Sequence, residues 1–184
     1  MTLVDVVPLL LVLVYAVGGF FSGLIRRFIG LIALFVAVWA ATNMGIQAGG
    51  ILQQTSSFEI ADGRIYGFFG IIAAVLLIVE VATQLAHSQI QIPAVVLNRT
   101  LGTVVGVFTA ILLSYVVVYE LGAAGNPIGG VQLDATQQWV RDQVQHSLFM
   151  TNLVNATDKP VLALFQPLLP SDPQQYFSSN PLNP

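Results

Sequence analysis

The chain has 184 residues, of which 55% are apolar and 8% charged, with a formal net charge of −3. Soluble domains carry roughly one-quarter charged residues, so a soluble globular protein is excluded, and the lack of any run of Lys or Arg excludes a nucleic-acid footprint and a polybasic lipid-binding cluster. Cysteine is absent, which removes disulfides, thiolate metal sites and a cysteine nucleophile.

In chain order, apolar stretches fall at about Leu3–Phe21, Phe28–Gln47, Ile65–Ala86 and Leu101–Leu121. Each is close to the ~20 residues that cross a ~30 Å hydrocarbon layer as a helix. They predict an all-α, polytopic membrane protein: residues 1–122 form a bundle of four transmembrane helices, followed by a short extracytoplasmic helical tail. Thr2 and Asp5 have the spacing of a capping box. With Asp5 in place of a basic leader, the first span reads as a retained helix and not a cleaved signal.

Arg26 and Arg27 separate the first two stretches, and Arg99 with His87 separates the last two; Glu59, Asp62 and Arg64 occupy the middle connection. The positive-inside rule then makes the first and third connections cytoplasmic and both termini extracytoplasmic. The 87–100 connection mixes polar and apolar residues and reads as a segment along the membrane face, with a re-entrant hairpin as the alternative. Pro93 breaks the third helix there, and Asn98 or Thr100 caps the fourth.

Beyond Glu120, Gly122, Gly125, Asn126, Pro127, Gly129 and Gly130 mark a linker. Residues 123–172 read as this linker and amphipathic helices: one capped by Asp134 and running to about Met150, another starting at Asp158 with Pro160 in its first turn. The Ser-, Asn- and Pro-rich stretch 173–184 reads as disordered.

Lipid gives helices no hydrophobic reason to associate, so close packing depends on small residues in register. Gly102, Gly106, Ala110 and Ser114 recur at every fourth position, and Gly19 with Gly23 and Gly45 with Gly49 repeat the spacing. This pattern serves either packing within one bundle or a self-association face. Glu80 is the carboxylate deepest in a span, and as a charge facing lipid it would be costly. With Thr83, Gln84 and His87 it draws a polar stripe toward the cytoplasmic side, where Arg26, Arg27 and Arg99 are candidate partners. An ion-pair cluster between helices, an ion or proton pathway in an oligomer and a partner contact all fit that stripe.

No catalytic, cofactor or metal constellation is present: His146 beside Ser147 lacks the context of a hydrolase nucleophile, and two histidines without a thiol make a poor metal site. No nucleotide-binding loop occurs.

Gly18-Gly19-Phe20-Phe21-Ser22-Gly23-Leu24-Ile25-Arg26-Arg27 resembles the R-G-F-x-x-G-x-[IV]-R-E signature of the colicin V production protein family of bacterial inner-membrane proteins. Asn98-Arg99-Thr100-Leu101-Gly102-Thr103-Val104-Val105-Gly106 resembles that family's D-R-x-L-G-x-x-x-G entry to the last span. The resemblance is carried by Gly19, Gly23, Arg26, Arg99, Gly102 and Gly106. Gly18, Arg27 and Asn98 stand where the family usually has Arg, Glu and Asp. The resemblance implies a bacterial plasma-membrane protein linked to toxin production or export and to envelope stress.

Taken together, these readings point to a non-enzymatic scaffold or accessory factor in toxin production, export or envelope maintenance. A small oligomeric channel or transporter subunit, and an accessory subunit of a larger membrane complex, are the alternatives. The expected partners are the lipid bilayer and other membrane proteins or further copies of the chain, with no nucleic acid.

Overall fold

The computed structural model describes residues 2–56, 58–87, 95–128, 133–148 and 161–178. Its elements are all helical: α1 (Leu3–Thr55), α2 (Ile60–His87), α3 (Val95–Ala124), α4 (Ala135–Gln145) and α5 (Pro173–Tyr176). A further helical turn covers 161–165. Among the described residues three helices, α1, α2 and α3, are long and apolar enough to cross a membrane, where the sequence suggested four.

The difference lies in α1, which contains both of the first two apolar stretches with no loop between them. A straight helix of its 53 residues would run about 80 Å, far beyond a ~30 Å hydrocarbon layer. It is not straight, because Gly23 sits at φ 77°, ψ 177°, a region essentially reserved for glycine. The two halves double back across this single residue. Near the start of α1, Asp5 Oδ1 accepts a hydrogen bond from Ser147 at 2.7 Å, and in the half beyond the break Ala41 O accepts one from Tyr176 at 3.0 Å. The two tail segments are themselves joined by Gln137 Nε2 donating to Phe177 O at 3.1 Å. Arg27, past the break, stands 5.3 Å from the ring of Tyr15, before it.

Asn98 and Thr100, expected as caps, lie inside α3, which begins earlier than the apolar stretch. Asn98 caps a different helix: its Oδ1 accepts from the Leu24 backbone N–H at 2.8 Å, one of the donors left orphaned by the break at Gly23. Residues 88–94, with Pro93, fall outside the described residues, as do Gly129, Gly130, Asp158, Pro160 and 179–184.

α1 packs along both α2 and α3, whereas α2 and α3 meet at only a few points. The core joins Leu34, Val38 and Ala41 of α1, Phe68 and Ile72 of α2, and Leu112, Leu113 and Val116 of α3. Outward-facing side chains remain large and apolar, among them Val14, Phe21, Leu77, Ile78, Val96 and Val104. In water such a surface would be an extreme liability, but in hydrocarbon it is ordinary.

The tail closes one end of this bundle. Asp134 caps α4, accepting from Gln137 N–H at 2.7 Å. The helix stops at Gln145 and not near Met150, because the chain turns so that buried Ser147 can reach Asp5. The stretch 173–184, read as disordered, is ordered over 173–178: Asp172 caps α5, accepting from Gln175 N–H at 3.0 Å, and Tyr176 and Phe177 plug into the core edge-on to Phe68. Burial holds the Tyr176 phenol well above its usual pKa; nearby Glu120 adds to the rise and Arg64 opposes it.

Gly23→Ala is expected to destabilise the bundle by about 1–3 kcal/mol, since an alanine is strained at this φ and its Cβ would collide with the Asn98 side chain. Thermal unfolding in mild detergent measures it. An unshifted transition would mean that the reversal does not depend on glycine.

Candidate functional site: the helix crossing at Gly23 and its arginine–glutamate cluster

The break at Gly23 brings three helical segments together. A Cβ on Gly19 would overlap the Gly102 carbonyl, one on Gly102 would meet Gly19 and Gly23, and one on Gly106 would strike the Tyr15 carbonyl. Backbones this close gain dispersion contacts that larger side chains would forbid. Ala110 continues the stripe and is fully buried, and buried Ser114 donates to its carbonyl at 2.7 Å.

A second crossing joins the far half of α1 to α2. Gly45 and Gly49 face Gly63, Gly67 and Phe68, again at backbone contact. Gly63 and Gly67 were not singled out from sequence although they carry the same four-residue spacing; their position near a charged connection obscured it. In both crossings the glycine partners belong to the same chain.

Charged groups gather beside Gly23. Arg26 Nη2 lies 2.6 Å from Glu80 Oε1 and donates to the Glu80 carbonyl at 3.2 Å, while Arg27 Nη2 lies 3.5 Å from the same carboxylate oxygen. Arg27 Nε donates to Ser22 Oγ at 3.0 Å, and Ser22 in turn donates to Gly18 O at 2.5 Å. The arginine side chains are only 13% and 8% exposed, whereas that of Glu80 is 41% exposed. The carboxylate therefore serves chiefly as counter-charge to two arginines that the fold has withdrawn from solvent.

Arg99 is not part of the Glu80 cluster; its guanidinium lies 5.4 Å from the Phe20 ring centroid, a cation–π contact. Thr83 bonds back to Val79 O at 2.8 Å and Gln84 is exposed. The His87 side chain lies outside the described residues. The structure thus joins Glu80 to Arg26 and Arg27 and leaves Gln84 apart from them.

Two buried charged residues escaped sequence reasoning. Arg64, assigned to a connection, is in α2 and donates to Tyr176 O at 3.3 Å and to Ser178 O, holding the tail down. Glu120, read as the end of the last span, is fully buried, and neither carboxyl oxygen has a hydrogen-bond partner among the described residues. Position along the chain located both but said nothing about which way they point.

Long apolar helices, backbone-level glycine crossings and lipid-facing aliphatic surfaces define a multi-pass α-helical membrane protein. The chain belongs to the colicin V production protein family, whose pattern matches residues 4–158. No curated protein and no solved structure matches it.

Glu80→Leu should lower stability by about 1–3 kcal/mol by stripping two largely buried arginines of their acceptor, while Glu80→Gln, which keeps an acceptor oxygen, should cost less. Equal effects in detergent unfolding would remove the pairing role. Gly106→Leu should cost about 1–3 kcal/mol through overpacking against the Tyr15 backbone, read as a lower unfolding temperature with no change in oligomer size. A changed oligomer size with unchanged stability would move this face to an intermolecular contact.

Proposed function

We propose that the chain is a non-enzymatic, four-span protein of the bacterial plasma (inner) membrane that acts as a scaffold or accessory factor in toxin production or export, or in envelope maintenance. The observation that carries the scaffold reading is the fate of Glu80. A carboxylate lining a conduction path would be left available to a moving ion, whereas this one is tied to Arg26 and Arg27 and fastens α2 to the turning point of α1. Family membership supports the membrane setting and the link to toxin production.

The reversal at Gly23 supports counting α1 as two spans, giving four crossings. Arg26, Arg27 and Arg99 then share one membrane side and the tail lies on the other. By the positive-inside rule the arginine side is cytoplasmic and both termini are extracytoplasmic. Other membrane proteins are the proposed partners.

Topology can be tested directly because the chain has no native thiol. Ser56→Cys, exposed beyond the end of α1, should react with a membrane-impermeant maleimide in intact cells, and Ser88→Cys only after permeabilisation. The opposite pattern would invert the orientation. In vesicles carrying a pH-sensitive dye, the scaffold reading expects no proton flux above that of empty vesicles. Wild-type flux that Glu80→Gln abolishes at normal folded yield would replace it with a channel.

A further inference from the structure

Where α2 and α3 part near the tail, α4 bridges them and roofs a lateral cleft of about 470 Å³. Its walls are Ile65 and Phe69 of α2, Leu121 of α3 and Val140 of α4. Its rim is different in kind, with Tyr66, Thr136 and Trp139, whose hydroxyls and indole N–H carry no hydrogen bond among the described residues. Trp139 is half exposed, and with Leu121 and Val140 it also borders a smaller, wholly apolar hollow against Leu3 and Val7 at the start of α1. Those two residues continue into the lipid-facing surface at Leu10 and Val14. The cleft therefore has an apolar body open toward hydrocarbon and a polar rim at the depth where Trp and Tyr meet lipid head groups.

The charge around the rim narrows the occupant. Asp134 immediately precedes the α4 residues of the cleft, and Asp62 lies one turn before Tyr66 on α2. Burial raises the Asp134 pKa first; the Gln137 N–H opposes the rise, and the charges of Asp62 and Glu59 add to it. The charges of Asp62 and Glu59 thus reach Asp134, and negative charge borders the cleft from both α2 and α4. Two bases adjoin cleft residues in sequence: Arg64 is turned away to the carbonyls of Tyr176 and Ser178, and Arg141, after Val140, has its backbone against Gly125. An anionic head group would be repelled here, and an ammonium would be attracted.

We propose that this cleft is a binding site for a membrane phospholipid whose head group carries an ammonium, with one acyl chain between α2 and α3, the Trp139 and Thr136 donors at the ester or phosphate oxygens, and the ammonium facing Glu59, Asp62 and Asp134. The site rests on the membrane embedding proposed above and adds a specific lipid to it.

The two tryptophans of the chain allow a test that separates the two ideas. Trp39→Phe leaves Trp139 as the sole fluorophore, and Trp139→Phe leaves Trp39, which is half exposed on the lipid-facing side of α1. Each full-length variant is placed in vesicles of mixed phosphatidylethanolamine and phosphatidylglycerol, with bromines on the acyl chains of one lipid at a time. Trp39 should be quenched alike by both. Trp139 should be quenched with a preference of about two- to fivefold for brominated phosphatidylethanolamine, the size of one exposed charge contact. Adding Glu59→Gln and Asp62→Asn should reduce that preference while quenching persists, and adding Ala135→Phe, at the cleft wall, should weaken quenching of Trp139. Quenching of Trp39 without quenching of Trp139 would overturn the site and leave the embedding intact, as when a second copy or partner helix covers the cleft. Equal quenching of Trp139 by both lipids would overturn the ammonium assignment, and quenching of neither tryptophan would overturn the embedding itself.

Discussion

Backbone-to-backbone contact at glycine is the constraint on which the rest of the bundle depends. In hydrocarbon, a leucine gains nothing by leaving lipid for another leucine, so what holds helices together is the density of contact they achieve. Here it is concentrated where Gly19 meets Gly102 and Gly106, and where Gly45 and Gly49 meet Gly63 and Gly67. These crossings fix how the two halves of α1 sit against α3 and α2. The arginine–glutamate cluster follows from the first of them: once Gly23 is held beside Asn98, Arg26 and Arg27 are drawn under the turn and need a counter-charge, which Glu80 supplies.

Much of this could be read from the chain, for identifiable reasons. Apolar length reports membrane spanning directly, because the thickness of hydrocarbon sets it. Small residues four apart report a close face, because a helix brings them into register. Neither feature reports direction. Gly23 reads as one more small residue in a stripe, and only its positive φ turns it into the reversal, a backbone property that the letter permits but does not announce. Glu80 and Glu120 illustrate the same limit: the carboxylate deeper in its span is part exposed and paired, and the one at a span end is buried with no hydrogen-bond partner among the described residues. Residues 173–178 depart from the disorder that their composition suggests because two aromatic side chains decide their placement.

Glu120 gives the tail-side end of the bundle a character unlike the rest. A buried carboxyl without a partner costs on the order of 1–3 kcal/mol relative to a satisfied one. Among the described residues nothing bonds the Glu120 carboxyl, and its charge reaches Tyr176 in the region where Arg64, Gln137 and Tyr176 together fasten the tail. One end of the molecule is thus secured by an ion pair between spans, and the other by hydrogen bonds to backbone carbonyls around a buried acid.

The way in which that end is fastened imposes an order on assembly. Tyr176 bonds to a carbonyl 135 residues upstream, and Arg64 bonds to one 114 residues downstream of itself. As the chain emerges from the ribosome, the helices up to Ala124 are complete well before the segment that plugs them. For that interval Phe68 has no aromatic neighbours from the tail, and the Arg64 guanidinium has no tail carbonyls to bond. Closure of the bundle is thus a late, long-range event superimposed on local helix insertion.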